Sequence, residues 1–260
     1  MTRRAARRRW IVPACLSLAG YGVCLLVLAP ASVFAWGVGR ATDGMILLEG
    51  VDGGLWRGRA ARIAFAAPGT RPQALGNLTW DIAVLRLFRG QLAVQLTLGG
   101  EGAKGAGMLV VKPHALVLSQ SSLAFPAAAL ATAFPALSFV SPGGEIALRA
   151  QDLAMAGDAV SGQAELDWID ASSALSPVKP LGTYRVRLAG KEGPAQFAVT
   201  TISGALEISG SGAWSRKTGL SFTGLARATA SGAPKLQNLL QLLGPDDGSG
   251  ARRLHFSQPP

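Results

Sequence analysis

Apolar and polar residues alternate along most of the chain after residue 45, a pattern that is typical of β-strands with one buried face. In residues 91–98, for example, Leu92, Val94, Leu96 and Leu98 share one face of the predicted strand, and mostly polar residues share the other. Gly, Pro or Ser separates most segments of this kind. The pattern therefore predicts a mainly β body of about eleven strands, at residues 59–65, 75–84, 91–98, 108–112, 115–120, 145–153, 160–168, 183–188, 196–202, 205–209 and 220–226.

Two segments beyond the N-terminus carry helical signals. A short stretch between prolines covers residues 127–134, and a longer one covers 235–243. Leucines recur in the longer segment at the spacing of one helical face, and Gly244 and Pro245 follow it as a stop signal. We expect this short C-terminal helix to pack over the end of the sheet. Its leucines are Leu236, Leu239, Leu240 and Leu243.

The N-terminus combines a basic arm with a long apolar run. Residues 1–9 contain five arginines, and residues 10–39 contain no charged residue. About 20 apolar residues suffice to cross a bilayer, and arginines mark the cytoplasmic side of a span. The sequence thus predicts a cytoplasmic arm at 1–9, a transmembrane anchor at 10–39 that Pro30 ends or kinks, and a periplasmic domain at 40–260.

A cleaved signal peptide is the alternative interpretation of the same segment. Val33 and Ala35 are small residues at the spacing that signal peptidase requires before Trp36. The apolar stretch at 11–29 is longer than the usual 7 to 15 residues of a signal-peptide core, which favours an uncleaved anchor. Both interpretations place residues 40 onward outside the cytoplasm.

Charge and cysteine content narrow the functional classes further. The net charge is +10, but half of it lies in the basic arm, which adjoins the apolar run. The rest of the chain lacks the interleaved basic and aromatic residues of a single-strand nucleic-acid site. We therefore expect inner-membrane lipid to contact residues 10–39, and no nucleic-acid partner. The two cysteines, Cys15 and Cys24, both lie in the predicted anchor. The exported part consequently has neither a disulfide nor a thiolate metal site.

Residues for catalysis are scarce in the sequence. His114 and His255 lie 141 residues apart, and the second is expected in a frayed tail, so no histidine-centred site is predicted. Residues 100–105 match the G-x-G-x-x-G pattern of dinucleotide-binding loops, but a predicted strand rather than a helix follows them. We interpret this segment as a hairpin loop. The sequence predicts no enzyme, no catalytic residue and no cofactor.

The densest acidic cluster is formed by Glu165, Asp167 and Asp170. Glu165 and Asp167 share one strand face, opposite Leu166 and Trp168. Two carboxylates on one face can bind a cation weakly, but solvent-facing charge is the simpler interpretation. No metal site is predicted.

The chain also contains a weak internal repeat. A Leu-x-Trp segment ending at Trp80 recurs 88 residues later and ends at Trp168, and each copy is followed by a loop, a glycine and two strands. Repeats at a fixed spacing are typical of stacked structural modules. We predict an elongated antiparallel sheet of two similar modules, at 45–135 and 145–245.

An ordered set of short motifs carries a resemblance to a known family. The first is Val-Asp-Gly-Gly-Leu-Trp-Arg-Gly-Arg-Ala at residues 51–60, and the others follow it to the C-terminus: Trp80, 87–92, 168–171, 180–184, 220–226 and 239–244. The chain resembles the type II (general) secretion pathway protein N family. The motifs cover nearly the whole chain, anchor included.

The motif residues divide into structural positions and interaction candidates. Glycines permit tight turns and close approach of neighbouring strands, and the structural positions are Gly53, Gly54, Gly58, Trp80, Trp168, Gly182 and Tyr184. We expect Leu55 and Trp56 to point to opposite strand faces, and Arg57 and Arg59 to share the face opposite Trp56. These four are the candidate contacts to a partner, although a packed tryptophan and solvated arginines are the simpler interpretations.

The resemblance implies a single-pass inner-membrane component of the type II secretion machinery, with its N-terminus in the cytoplasm. Its expected role is non-enzymatic assembly, through contacts of exposed sheet edges with the inner-membrane platform and the periplasmic connector, in export of folded exoproteins across the outer membrane. The alternative is an AsmA-like or bridge-like envelope protein that binds lipid in an apolar β groove. A row of inward apolar side chains with nothing packed over them favours the alternative.

Overall fold

A computed structural model of the chain describes residues 17–18, 20–22, 24–66, 72–133, 137–230 and 232–258. These residues form thirteen strands in one sheet, in which every strand pairs antiparallel with the next strand of the chain. The prediction of a mainly β, antiparallel fold is confirmed. The strands are β1 (Ile46–Gly53), β2 (Arg57–Phe65), β3 (Gln73–Ile82), β4 (Leu92–Gly99), β5 (Lys104–Lys112), β6 (Ala115–Pro126), β7 (Gly143–Ala156), β8 (Ala159–Ser172), β9 (Gly182–Gly193), β10 (Ala195–Gly204), β11 (Leu206–Ser215), β12 (Gly219–Ala228) and β13 (Arg252–Gln258).

The strand prediction missed the two edges of the sheet. Each of the eleven predicted segments overlaps one of β2 to β12, whereas β1 and β13 were not predicted. The expectation that His255 lies in a frayed tail is wrong, because His255 pairs with Thr223 across β12 and β13. Edge strands lack a partner on one side, so the burial that produces alternation acts on them weakly.

Besides the helical residues before Pro30, four helices accompany the sheet in the described part of the chain: α1 (Ala31–Ala41), α2 (Val84–Leu87), α3 (Ala128–Ala133) and α4 (Ala233–Leu243). Helix α1 contacts β1 and β2, and α4 contacts β12 and β13. The expected C-terminal helix is confirmed, and it ends before Gly244 and Pro245 as predicted. The two longer helices thus pack at opposite ends of the strand order.

The predicted anchor is only partly covered. The arm at 1–9 and positions 10–16, 19 and 23 lie outside the described residues, and residues 24–27 are helical. The chain turns at Leu28, and Pro30 takes an extended conformation before α1 begins. Pro30 therefore ends the preceding helix, as its fixed backbone geometry predicts. Within the part of the chain that is described, no helix has both the length and the apolar character needed to cross a membrane.

Two clusters of buried apolar side chains form the core. The first includes Trp80 and joins α1 to β2, β3 and β4. The second includes Leu236 and joins α4 to β11, β12 and the loop before β9. Each cluster is a helix packed on one end of the sheet, so the helices bury apolar side chains that the strands alone leave open to water.

Candidate functional site

The Leu-Trp turn, which we define as residues 53–56, joins β1 to β2. Gly53 has a positive φ of 94°, and a Cβ atom there would lie 2.9 Å from the Arg57 carbonyl oxygen. Leu55 and Trp56 occupy a bend rather than a strand, and both pack against the first core cluster. The expectation that they point to opposite faces is wrong, because both side chains pack against the same core cluster.

Backbone and side-chain hydrogen bonds tie this turn to the segment before α1. The Leu55 amide donates to the Ala29 carbonyl at 2.7 Å, and Trp56 Nε1 donates to the Leu26 carbonyl at 2.9 Å. Gly54 also forms an isolated antiparallel bridge with Pro30. The turn therefore fixes residues 26–30, at the end of the helix that precedes Pro30, against the edge of the sheet.

Trp80 supports the turn from inside the core. It is 2% exposed, and its Nε1 donates to the Leu55 carbonyl at 3.0 Å. Its ring stacks on Phe34 of α1 with centroids 4.3 Å apart. Gly58 lies opposite Trp80 in the neighbouring strand, and a Cβ atom at Gly58 would come 2.5 Å from the indole ring. Glycine at position 58 thus makes room for the tryptophan that holds the turn.

The second tryptophan of the sequence repeat makes the same type of contact. Trp168 Nε1 donates to the Gly143 carbonyl at 2.9 Å, and both this bond and the bond from Trp80 to Leu55 span 25 residues. The strand register also repeats at the spacing of 88 residues that separates the two tryptophans in the sequence. At the first site, Trp80 pairs with Gly58 on one side and with Leu96 on the other. At the second site, Trp168 pairs with Ile146 and with Tyr184, which lie 88 residues after Gly58 and Leu96.

Tyr184 and Gly182 complete the second tryptophan site. The Tyr184 hydroxyl donates to the Leu206 carbonyl at 2.9 Å, and burial raises the pKa of Tyr184 to about 12. A Cβ atom at Gly182 would lie 2.6 Å from the Ser203 carbonyl oxygen and 3.1 Å from the tyrosine hydroxyl oxygen. Both residues therefore hold neighbouring strands in close contact at this site.

Known proteins are similar to this chain over a region that includes both tryptophan sites. The family model described as "Type II secretion system (T2SS), protein N" covers residues 45–255. This chain belongs to that family. A protein of Vibrio cholerae serotype O1 named "Type II secretion system protein N" is 27% identical over an alignment of 167 positions, which covers 60% of this chain and 60% of that protein. No solved structure is significantly similar.

In this member of the protein N family the exposed arginines near the Leu-Trp turn face carboxylates on adjacent strands. Arg57, Arg59 and Arg62 lie 2.6, 2.7 and 3.5 Å from Asp81, Asp52 and Glu49, respectively. The hydrogen bond from Arg59 lowers the pKa of Asp52. Because these pairs are exposed to water, each contributes little to stability. The charges of Arg57 and Arg59 are nevertheless partly balanced before any acidic partner approaches.

The acidic cluster is also paired with arginines. Arg185 Nε and Nη2 donate to the two carboxylate oxygens of Asp167 at 2.7 and 2.9 Å, and Arg149 lies 3.4 Å from the same carboxylate. Asp167 is 6% exposed, so the expectation of a solvent-facing carboxylate is wrong for this residue. The described residues contain no group of His, Cys, Asp and Glu that would hold a metal ion. The cluster joins β7, β8 and β9 instead.

Replacing Asp167 by asparagine is expected to destabilise the protein by about 2 kcal/mol, because one of the two oxygens that accept from Arg185 becomes an amide N–H donor and the remaining hydrogen bond loses its charge. The Arg185 hydrogen bonds lower the pKa of the Asp167 carboxyl in the folded state. Its contribution is therefore present above the unfolded pKa of about 3.9 and is lost as the pH falls through the lower folded value. Urea unfolding of both proteins between pH 7 and 3 measures this. If the difference in the free energy of unfolding between the two proteins stayed constant over that range, the stabilisation would not come from the Asp167 carboxylate.

The remaining sequence candidates lie apart from one another. His114 is in the turn between β5 and β6, whereas His255 is on the edge strand β13. Residues 100–105 connect β4 to β5 and extend into it, so the interpretation as a hairpin loop is confirmed. None of these residues therefore builds a site with another.

An apolar pocket lies next to the Leu-Trp turn, and its position could not be predicted from the sequence. It has a volume of about 640 Å³ and lies between α1 and β1 to β5, with Leu55 and Trp56 in its wall. Residues 31–39 of α1 were predicted to belong to the membrane anchor because they carry no charge and are mostly apolar. An apolar helix that covers a pocket and an apolar helix that spans a bilayer give the same composition signal.

Proposed function

We propose that this protein is an inner-membrane component of the type II secretion system that acts by contact with other components and not by catalysis. Membership of the protein N family and the name of the Vibrio cholerae relative support the secretion role. The aligned region spans 60% of the length of that relative. The 13-stranded sheet would lie in the periplasm.

The observation that carries the proposal is the attachment of the Leu-Trp turn to the segment before α1. Trp56 and Leu55 bond to the carbonyls of Leu26 and Ala29. We infer that the anchor comprises residues 10–29, which is long enough for a bilayer at about 20 residues, while α1 belongs to the periplasmic body. The turn then holds the sheet at a fixed orientation to the membrane, which is what an assembly component needs in order to present one edge to its partners.

The edge strand β13 is the surface that we assign to the partner. It ends the strand order, and five of its seven residues are exposed. The first residues of β13 are covered, because Asp246 forms a bridge with Arg252 and the Arg253 amide donates to the Pro245 carbonyl at 3.0 Å. The open edge that we assign therefore comprises residues 254–258. An open edge offers unpaired N–H and C=O groups, to which a strand of another protein can add. We propose that a periplasmic segment of the inner-membrane platform or of the connector binds β13 in this way.

Photo-crosslinking in living cells tests this assignment. A photoreactive amino acid is placed at His255 or Ser257 on β13, at Arg59 beside the Leu-Trp turn, and at Gln151 on the interior strand β7 as a control; all four side chains are exposed. We expect His255 and Ser257 to capture a secretion-system protein, identified by mass spectrometry, and Gln151 to capture none. Capture from Arg59 but not from β13 would move the interface to the turn, and capture of no secretion protein at any position would overturn the proposal.

A further inference from the structure

The apolar pocket between α1 and the first five strands has the properties of a ligand site. Its volume of about 640 Å³ lies within the range of about 300–1,000 Å³ that is usual for ligand pockets. Apolar side chains from both the helix and the sheet line it, among them Val33, Phe34, Ile46, Leu78 and Val94. An apolar cavity offers few hydrogen bonds to ordered water and favours an apolar occupant.

The pocket opens past half-exposed side chains and next to helix α2. Val33, Leu87 and Leu92 line the pocket and are all more than a third exposed. Leu87 belongs to α2, and its neighbours Leu85 and Phe88 are 82% and 85% exposed. Large apolar side chains with this exposure are typical of surfaces that contact a membrane or another molecule.

Basic residues alternate with these apolar ones. Arg86 lies between Leu85 and Leu87, and Arg89 follows Phe88. Neither arginine forms an ion pair with any residue that the structure describes. By contrast, Arg57, Arg59 and Arg62 all face carboxylates. Arginine and large apolar side chains together are characteristic of segments at the surface of anionic membranes, where guanidinium groups bind phosphate.

The wall of the pocket is bonded to the predicted anchor. Trp56, which lines the pocket, donates its indole N–H to the carbonyl of Leu26. If residues 10–29 span the bilayer, as proposed above, the pocket lies where the chain leaves the membrane. A lipid chain can then enter from the adjacent leaflet without crossing water.

We propose that this pocket binds one acyl chain of an anionic phospholipid, whose headgroup phosphate is bound by Arg86 and Arg89. The proposal rests on the proposed membrane anchor and adds a ligand to it. Binding would hold α1 and α2 on the membrane surface beside the anchor. The orientation of the sheet would then depend on the lipid as well as on the Leu-Trp turn.

The chain offers a matched pair of variants for the test. Gly37 and Gly39 both lie in α1, and a Cβ atom at either would meet nothing within 4 Å, but only Gly37 lines the pocket. Gly37→Leu therefore adds a side chain to the wall of the pocket and narrows it, and Gly39→Leu makes the same change in the helix at a position that does not line the pocket. Arg86→Gln together with Arg89→Gln removes the proposed phosphate contacts.

The full chain is reconstituted in vesicles of phosphatidylethanolamine and phosphatidylglycerol that contain phosphatidylglycerol with a photoactivatable group halfway along one acyl chain. After irradiation, labelled peptides are mapped by mass spectrometry. We expect labelling of the pocket strands β3 to β5, a decrease of at least about fivefold in Gly37→Leu, and no change in Gly39→Leu. In the natural chain, labelling should fall about tenfold when phosphatidylcholine replaces phosphatidylglycerol as the labelled lipid. The double arginine variant should label equally with both lipids.

Flotation of the vesicles separates the two proposals. Protein that does not float with the vesicles would overturn the anchor and, with it, the lipid site. Protein that floats but is labelled only within residues 10–29, or is labelled equally in Gly37→Leu, would overturn the lipid site and leave the anchor standing. Either result would point to another occupant of the pocket, such as an apolar helix of a partner.

Discussion

Replacing Trp80 by alanine is expected to lower the free energy of unfolding by about 3–5 kcal/mol, the usual cost of removing a large aromatic side chain from a core. Trp80 is 2% exposed and stacks on Phe34. Its loss opens a cavity between α1 and the sheet and leaves the Leu55 carbonyl without the indole donor. Urea unfolding of the full chain in mild detergent, followed by far-ultraviolet circular dichroism, measures the change.

Trp36 provides the matched control for this prediction. It is also a tryptophan and lies on α1, but it is 71% exposed. Trp36→Ala is therefore expected to change the free energy of unfolding by no more than about 0.5 kcal/mol. Similar losses in the two variants would mean that Trp80 is not the residue that holds α1 on the sheet.

The interior of the sheet could be predicted from the sequence because alternation reports one-sided burial. The eleven predicted segments correspond to β2–β12, each of which has a strand on both sides. In β13, by contrast, five of the seven residues are exposed, and in β1 the apolar residues Ile46, Leu47 and Leu48 are consecutive. The alternation that identifies the interior strands is therefore interrupted in β1, and in β13 it is limited to Leu254 and Phe256.

The contacts of the candidate site depend on strand register, which a single sequence does not define. The motif of Leu55, Trp56 and Gly58 is visible in the sequence, but the space that Gly58 leaves is filled by Trp80, 22 residues away. Likewise, Asp167 was visible as an acidic residue, whereas its partner Arg185 comes from the next strand. In both cases the residue types were identified and the long-range partners were not.

Replacing Leu236 by alanine is the second large effect that we expect, a loss of about 2–5 kcal/mol. Leu236 is completely buried in the cluster between α4 and the strands β11 and β12. Leu242 lies on the same helix and is 72% exposed. Leu242→Ala is the control, with an expected change within about 0.5 kcal/mol. Equal losses in the two variants would show that α4 does not cap the sheet through Leu236.

Combining Trp80→Ala with Leu236→Ala tests whether the predicted modules unfold together. The two residues belong to separate core clusters and share no partner, so their losses should add to within about 0.5 kcal/mol. The strands between them form one unbroken ladder, from which we expect a single transition. Two transitions, each shifted by only one of the substitutions, would instead mean that each helix-capped end unfolds as its own unit, because contacts in such a meander join only neighbouring strands.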